Sequence, residues 1–310
     1  MESRKPRIGI VGLGNIAQKA YLPILMKETD WQLAGAYSPN QAKREKLCKN
    51  FRINSINSLA ALSSKSDAVF VHTSTETHYE VVSYLLGQGK DVYVDKPLAA
   101  SLDQAVRLAE LSEETGRKLM VGFNRRFAPL YRKAREMSVG FDWVQMEKHR
   151  TDSIGPDSFA FTMLDDYLHI IDTIRWLADQ SELKVTDLFT RENETGQMLL
   201  AKHSFQTNGQ HFTTAMHRRA GTNLEKLEIV NEQSIIRVNN LNTLQVEAEG
   251  CVTESSSASW EELLTTKGFT GAVSHFISAI KNDKTPDVDG WDAVKSQQLL
   301  DKLIDRHQRK

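Results

Sequence analysis

The stretch that decides the fold reads RIGIVGLGNIA, from Arg7 to Ala17. An apolar run comes first, and the turn Gly12-x-Gly14-x-x-Ala17 and the start of a helical pattern follow it. Gly12 permits a tight turn, Gly14 lets the backbone approach a pyrophosphate, and the small Ala17 lets the helix pack on the strand. The N–H groups at the helix N-terminus can bind an anion. This stretch therefore predicts a strand–turn–helix unit that binds a dinucleotide.

Short β-branched runs alternate with helical stretches through the first 120 residues, which is typical of βαβ units and a parallel sheet. Capping boxes at 77–80 and 101–104 predict two helix starts, and Gly116 predicts where the second helix ends. Pro23 lies inside the first helical pattern, where it kinks or restarts the helix. The predicted strands are 7–11, 32–37, 68–72, 91–94 and 118–122.

The pattern of predicted helices and strands changes after Phe123. A helix at 129–137, a strand at 143–150 and a strongly patterned helix at 163–177 are predicted first. Consecutive alternating runs then predict a mostly antiparallel sheet. These runs are 184–190, 198–206, 211–217, 227–230, 234–238 and 244–247. A polar loop at 255–257 and helices at 271–281 and 291–307 complete the chain.

Together these patterns predict two domains of different class. Residues 1–121 form an α/β Rossmann domain with a doubly wound parallel sheet that binds NAD(P). Residues 122–310 form an α+β domain with an open, mostly antiparallel sheet, which we assign to substrate binding and oligomerisation. Alternation places Phe212 and Met216 on one face of a strand, and we expect that face to be buried in a homodimer or homotetramer.

Composition excludes several classes of protein. The chain has 39 Lys and Arg against 40 Asp and Glu, so no overall field attracts nucleic acid or an anionic membrane. No run of 18 apolar residues occurs, and the apolar stretch near the N-terminus is better explained as a strand than as a signal peptide. Cys48 and Cys251 lack metal-ligand spacing and predict reduced thiols in the cytoplasm. We expect no metal site.

The end of the second strand bears on the choice of cofactor. An acidic residue about 20 residues after the glycine turn grips the ribose 2′-hydroxyl of NAD in such folds. Here Ser38 occupies that position, and Lys43 and Arg44 follow it. These cations either hold the 2′-phosphate of NADP or form a solvated helix face. The sequence therefore favours NADP(H) slightly, with NAD(H) left open.

Further motifs run through the whole chain. They are Thr75-x-Thr77-His78, Asp95-Lys96-Pro97, Gly122-Phe-Asn-Arg-Arg-Phe127, Asp165-x-x-x-His169 and Pro286-Asp-Val-Asp-Gly290. In these motifs and in its glycine turn the chain resembles the Gfo/Idh/MocA oxidoreductases, and within them the MviM-type subgroup. The resemblance implies hydride transfer between NAD(P) and a small hydroxylated substrate, a sugar or cyclitol derivative.

The resemblance also implies the catalytic residues. Lys96 matches the family lysine that contacts the substrate hydroxyl, and Asp95 replaces the glutamate that usually precedes it, so we expect the lysine to be held differently. The Lys96–Pro97 bond is a candidate for the cis form. Asp165 and His169 match the paired acid and histidine, although the glycines that usually surround this pair are missing. His169 would act as the proton acceptor, with Asp165 orienting its ring.

A helical wheel of about 100° per residue places His169 away from the apolar stripe of its helix. The polar side of that wheel also carries Asp165, Asp172 and Trp176. His169 is therefore not expected to be a core residue. Either this side faces the substrate or it is a solvated surface.

The site assignments follow from the glycine turn and the resemblance together. Cofactor contacts are assigned to Gly12, Gly14, Asn15, Ile16, Ala17, Ser38, Lys43, Thr73, His78, Asp95, Lys96 and Pro97. Substrate contacts are assigned to Lys96, Asn124, Arg126, Asp165, Tyr167 and His169. Basic groups recur at 124–126, 148–150 and 217–219, and they either face solvent or, if two groups line the site, indicate a carboxylate or phosphate on the substrate.

Two other functions remain open from the sequence. One is a dinucleotide-binding regulator or adaptor with little turnover, which the missing glycines around the Asp–His pair allow. The other is a methyltransferase that uses the glycine turn for its cofactor. The Lys96–Pro97 motif and the antiparallel second half disfavour the methyltransferase.

Overall fold

The computed structural model describes residues 4–138, 140–179, 181–257 and 262–309. The chain divides into two compact units. The first unit consists of Met1–Phe123 and Phe269–Lys295, and the second of Asn124–Gly268 and Ser296–Lys310. The predicted division at 121/122 lies two residues from the observed boundary, but it placed 269–295 in the second domain.

A buried aromatic cluster explains why 269–295 belongs to the first unit. The ring of Phe276 packs edge-on against Phe70 and against Tyr93, with centroid distances of 5.5 and 5.6 Å. All three side chains are fully buried. These contacts join residues about 200 positions apart in sequence. A local sequence pattern cannot predict contacts between residues so far apart.

The first unit is built on a parallel sheet. Its strands are β1 (Arg7–Val11), β2 (Gln32–Tyr37), β3 (Ala68–Val71), β4 (Asp91–Val94) and β5 (Leu119–Val121). Within the described residues they are ordered β2-β1-β3-β4-β5. The strand order reverses between β1 and β3, which is where ligands bind in open α/β sheets. The predicted Rossmann architecture is confirmed.

The helices alternate with these strands and continue into the second unit. They are α1 (Leu22–Leu25), α2 (Gln41–Phe51), α3 (Leu59–Lys65), α4 (Thr75–Gly87), α5 (Leu102–Thr115), α6 (Pro129–Met137), α7 (Phe159–Thr162), α8 (Leu168–Leu177), α9 (Leu263–Thr266), α10 (Phe269–Lys281) and α11 (Gly290–Gln308). Two π-helical turns, Ala17–Tyr21 and Met163–Tyr167, precede α1 and α8. No helix in the described ranges combines the length and the apolar character that a bilayer crossing requires.

Two predicted helix ends can be compared with the structure. Ser101 accepts a hydrogen bond from the backbone N–H of Gln104, and Gly116 ends α5 in the left-handed conformation, as predicted. The predicted start of α4 at Thr77 is wrong, because the helix begins after Ser74. Thr77 already lies in the first turn, where its hydroxyl donates to the Ser74 carbonyl.

The second unit is built on a mostly antiparallel sheet, as predicted. Its strands are β6 (Trp143–His149), β7 (Lys184–Glu192), β8 (Met198–Thr207), β9 (Gln210–His217), β10 (Leu224–Val230), β11 (Ser234–Asn239), β12 (Thr243–Ala248) and β13 (Cys251–Ser256). Across the described ranges they are ordered β13-β12-β11-β10-β6-β9-β8-β7. Only the β6–β9 pairing within this order is parallel.

Two expectations about this sheet are wrong. Ser255 and Ser256 belong to β13 and not to a loop; this edge strand is mostly exposed on both faces and therefore lacks the apolar alternation that marks a strand. Phe212 and Met216 point into the interior, with exposed fractions of 0% and 1%. The outer face of β9 instead carries half-buried residues such as Thr213.

Candidate functional site

The two glycines of the turn after β1 have different structural roles. Gly12 has a φ of +88°, and a Cβ there would lie 2.5 Å from the backbone carbonyl of His72 at the end of β3. Gly14 lies in open space, because the nearest atom to a Cβ there is the His72 carbonyl oxygen, 3.9 Å away. Gly12 is therefore required by the chain itself. The space beside Gly14 and the N–H groups of the following helix, from Asn15 to Ala17, fit a pyrophosphate.

Of the two predicted cations, Arg44 is hydrogen-bonded to the backbone at the end of β2. Arg44 is 5% exposed and donates to the Ser38 carbonyl oxygen at 2.8 Å and to Ser55 Oγ at 3.1 Å. Its interpretation as part of a solvated helix face is therefore wrong. Lys43 is exposed in the first turn of α2, where its N–H donates to Asn40 Oδ1. Both cations follow Ser38 closely, with no carboxylate at that position.

His78 joins the loops that follow β3 and β4. Its Nδ1 lies 2.8 Å from the Pro97 carbonyl oxygen and its Nε2 lies 3.2 Å from that of Thr73. Burial lowers the pKa of His78, and these two hydrogen bonds oppose the shift. The ring is 1% exposed, so the structure does not support His78 as a direct cofactor contact. It positions Thr73 and the cis Lys96–Pro97 bond instead.

Thr73 provides a polar group that the protein leaves unused. Its hydroxyl oxygen is buried and has no hydrogen-bond partner among the described residues. The backbone N–H of Thr73 also lies close to Gly12. A buried hydroxyl beside the glycine turn fits a ligand that offers an oxygen there.

Asp95, which replaces the usual glutamate, accepts a hydrogen bond from Tyr21 of the π-helical turn Ala17–Tyr21. Tyr21 donates to Asp95 Oδ1 at 3.2 Å, and its oxygen lies 3.1 Å from the hydroxyl of Tyr93. Burial raises the pKa of Asp95, and the charge of Lys96 offsets part of this shift. Gly122 is required here, because a Cβ would lie 2.9 Å from both tyrosine hydroxyls.

In the second unit, a π-helical turn changes which carboxylate faces the interior. The predicted continuous helix 163–177 is divided into the π-helical turn Met163–Tyr167 and α8. A π-helical turn contains one more residue than an α-helical turn, so a wheel of 100° per residue does not describe Met163–Tyr167. Asp165 is exposed, whereas Asp166 is half-buried and pairs with basic side chains.

The expected polar side of α8 is also buried. His169 and Asp172 are 8% and 1% exposed. Arg126 makes two hydrogen bonds to Asp172, at 2.8 and 2.5 Å, and Ser296 donates to the same carboxylate. The polar residues of this helix therefore face protein rather than solvent.

Asp166 collects the basic residues that the sequence places on separate strands. Its carboxylate contacts Lys148, Arg150 and Arg218, at 2.5 Å for Lys148 and 3.4 Å for Arg150. Burial alone would raise the pKa of Asp166, but these three charges hold it far below its ordinary value. Burial lowers the pKa of Lys148 to about 8, with a contribution from the charge of Arg125.

Arg125 links a second carboxylate to His169. Its guanidinium donates to both carboxylate oxygens of Glu225, at 3.1 and 3.0 Å. Burial alone would raise the pKa of Glu225, but the charges of Arg125 and Lys148 lower it to about 2. Arg125 Nη1 lies 3.4 and 3.3 Å from the two ring nitrogens of His169. Arg125 Nη1 therefore lies within hydrogen-bond distance of both ring nitrogens of His169.

Three predicted substrate contacts lie inside the second unit instead. Asn124 is 1% exposed and donates to the Lys267 carbonyl, and Arg126 is 3% exposed and paired with Asp172. Tyr167 is fully buried, and its hydroxyl lies 2.7 Å from both His203 Nδ1 and Thr214 Oγ1. Their polar groups already have protein partners, so the structure does not support these three assignments.

The sequence prediction missed Arg125 and Asp166, each adjacent to a residue that it chose. The basic groups at 148–150 and 217–219 were the available signal. Among the described residues, no group of three or more His, Cys, Asp and Glu side chains is placed to hold a metal ion.

Comparisons with known proteins match both units. A family model described as an oxidoreductase family with an NAD-binding Rossmann fold matches residues 6–123, and a YceM-like C-terminal domain matches 129–249. The chain is 44% identical over 301 residues to YceM of Salmonella typhimurium strain LT2, which is designated an oxidoreductase; the alignment covers 97% of each chain.

Two further proteins extend these matches. A crystal structure of the MviM dehydrogenase from Clostridium difficile is 40% identical, with a TM-score of 0.96, and covers 98% of this chain and 100% of that one. Inositol 2-dehydrogenase of Paracoccus denitrificans is 29% identical over 196 residues, which is 60% of this chain and 58% of that protein.

Proposed function

The chain belongs to the Gfo/Idh/MocA oxidoreductase family, and from that premise we propose that it interconverts an alcohol and a carbonyl on a small sugar or cyclitol derivative. The observation that carries this proposal is the glycine turn, where Gly12 cannot bear a side chain and the space beside Gly14 is open. The similarity to an inositol 2-dehydrogenase supports the substrate class.

The roles of the residues follow from the chemistry of alcohol oxidation. A dinucleotide held at the glycine turn from Gly12 to Ala17 would supply the hydride acceptor or donor. Lys96 hydrogen-bonds the substrate oxygen and stabilises the charge that develops on it. His169 takes the hydroxyl proton, and Asp165 supports the charged form of the ring. The turnover of a panel of keto-sugars with reduced cofactor, compared with that of His169→Ala, tests these roles.

We further propose that NADP(H) binds at least as tightly as NAD(H). The observation behind this preference is Ser38, which cannot repel a 2′-phosphate, together with the cations Lys43 and Arg44. Calorimetric titration with both cofactors tests the preference. Ser38→Asp should weaken NADPH at least tenfold, about 1.4 kcal/mol, and weaken NADH far less. A tenfold preference of the wild-type chain for NADH would contradict the proposal.

A second function, a dinucleotide-binding regulator with little turnover, is favoured by one observation. The segment that carries Asp165 and His169 lacks the glycines that the resemblance implies, and its Asp166 pairs with three cations instead. Tight cofactor binding with no oxidation of NADPH across a broad panel of keto-sugars would favour the regulator. Turnover that His169→Ala abolishes would favour the enzyme.

We also propose a cytoplasmic location and a homo-oligomeric state. A reducing compartment suits a chain with two cysteines, Cys48 and Cys251, that are both free. Neither proposal includes a nucleic acid or a membrane as a partner, because the net charge of the chain is -1.

A further inference from the structure

One end of the sheet in the second unit carries a group of basic side chains that we call the cation cluster. The cluster consists of Arg125, Lys148, Arg150 and Arg218. Lys148 and Arg150 lie at the end of β6, and Arg218 follows β9, which runs parallel to β6. Two carboxylates pair with these cations, Asp166 with three of them and Glu225 with Arg125. The group therefore holds two more positive than negative charges.

Three of the four cations are shielded from water, whereas the Arg150 side chain is 36% exposed. The exposed fractions of the Lys148, Arg218 and Arg125 side chains are 2%, 12% and 14%. Positive charge that is withdrawn from water without a matching anion is costly. The whole chain has a net charge of -1, so the excess is local and not a general property of the surface. The cation cluster is thus arranged to receive an anion.

Hydrogen-bond donors remain available in the cluster. The Arg150 contacts with Asp166 are both 3.4 Å long, and Arg218 uses Nε on the Ser153 carbonyl and Nη1 on Asp166. Nη1 of Arg150 and Nη2 of Arg218 have no hydrogen-bond partner in the described part of the chain. Guanidinium groups suit the paired oxygens of carboxylates and phosphates.

We infer that the cation cluster binds a carboxylate or phosphate group carried by the substrate itself. Arg125 connects the cluster to His169, with Nη1 3.3 Å from Nε2 of the ring. An anion in the cluster therefore belongs to the same molecule on which His169 acts, and in this respect the inference rests on the proposed function. The substrate is then an acidic or phosphorylated sugar or cyclitol, not a neutral polyol.

Inorganic phosphate is the first probe, titrated calorimetrically at constant ionic strength into the full chain saturated with NADPH. We expect saturable binding that Arg218→Gln and the more exposed Arg150→Gln each weaken about tenfold. Arg219→Gln is the matched control, because Arg219 is adjacent but 64% exposed and pairs with Asp152. It should bind phosphate as the wild-type chain does.

Three outcomes of this titration would overturn the inference: no saturable binding, an equal effect of Arg218→Gln and Arg219→Gln, or phosphate binding that NADPH displaces. The third outcome would assign the cluster to a phosphate of the cofactor. NADPH affinity is measured on the same samples, so a chain that binds NADPH but not phosphate contradicts this inference alone. Loss of NADPH binding would contradict the proposed function.

A comparison of substrates provides the second test. Glucuronate, glucose 6-phosphate and neutral myo-inositol are assayed with NADP+, and the first two distinguish a carboxylate from a phosphate. For the anionic substrate that is turned over, Arg218→Gln should raise KM about tenfold and change kcat less, because it removes binding energy and not a reacting group. Oxidation of myo-inositol with equal kcat/KM, unchanged in Arg218→Gln, would overturn the inference and leave the proposed function standing.

Discussion

The ring of His72 stacks on the ring of Tyr21, with centroids 3.9 Å apart and an interplanar angle of 23°. His72 is 3% exposed, and neither of its ring nitrogens has a hydrogen-bond partner among the described residues. Burial, with a smaller contribution from His78, lowers the pKa of His72 to about 3. The histidine that follows β3 therefore behaves as a neutral aromatic residue of the core.

The neutral state of His72 predicts a loss of stability in mild acid. The unfolded chain binds a proton at His72 as the pH falls below about 6.5, whereas the folded chain does not, so the free energy of unfolding falls with the pH. At about pH 5 the loss should reach roughly 2 kcal/mol. Urea unfolding of wild type and His72→Phe from pH 7.5 to 5, in steps of about half a unit, measures it.

Two variants separate titration from packing at this position. His72→Phe should flatten the pH dependence and keep the stacked contact with Tyr21. His72→Gln should flatten it as well, but at lower stability throughout, because it leaves a buried amide unpaired. A His72→Phe profile as steep as that of wild type would show that other groups cause the acid sensitivity.

The two glycines of the first turn should respond differently to alanine. Gly12→Ala should destabilise the chain and abolish NADPH binding, because its φ is +88° and its Cβ would collide with the His72 carbonyl. Gly14→Ala should keep Tm nearly unchanged and still weaken NADPH at least tenfold, because its methyl group would occupy the space assigned to the pyrophosphate. Calorimetric scans and NADPH titration measure both effects. Wild-type NADPH affinity in Gly14→Ala would contradict this placement.

The proposed proton acceptor gives a prediction about rate. His169→Ala should lower kcat by roughly 10²–10⁴ with little loss of NADPH affinity, because the residue acts on the substrate and not on the dinucleotide. Lys96→Met should also lower kcat, whereas Lys65→Met, at the exposed end of α3, should leave it unchanged. Steady-state assays on any substrate found in the panel measure this. Wild-type kcat in both variants would refute the assignment.

The outer face of the sheet in the second unit gives a prediction about assembly. Trp143 and Phe189 are 46% and 56% exposed on that face. Phe212, which the sequence analysis placed there, lies on the opposite, buried face. We expect a dimer or tetramer that covers it. Light scattering should give a mass well above 35.0 kDa, and Phe189→Asp should lower it. Met26→Asp, a substitution of an exposed apolar residue in the first unit, is the control. A wild-type mass of 35.0 kDa at micromolar concentration would reject the oligomer.

Predictions that depended on short-range structure were mostly correct. The ends of α5 at Ser101 and Gly116 are set by one side-chain hydrogen bond and one left-handed residue, and both features are local. The start of α4 was misplaced, because Ser74 and Thr77 are equally suitable capping residues and the surrounding fold selects the first. Sequence alone does not rank two caps of the same chemical type.

Predictions that depended on long-range packing were the ones that changed. The π-helical turn at Met163–Tyr167 directs Asp166, and not Asp165, toward the basic strand ends. A wheel with a fixed period cannot register one extra residue in a turn. Similarly, alternation placed Phe212 on one face of β9, but only packing against the rest of the unit determined that this face is the interior.

The sequence by itself determined the glycine turn, the alternation of strands and helices in the first unit and the Lys96–Pro97 motif, because each requires particular residue types at short spacing. The tertiary structure decided that Asp166 gathers three cations, that Arg125 lies against His169, and that 269–295 joins the first unit. These features arise from side chains that are distant in sequence and meet only when the sheets and helices pack.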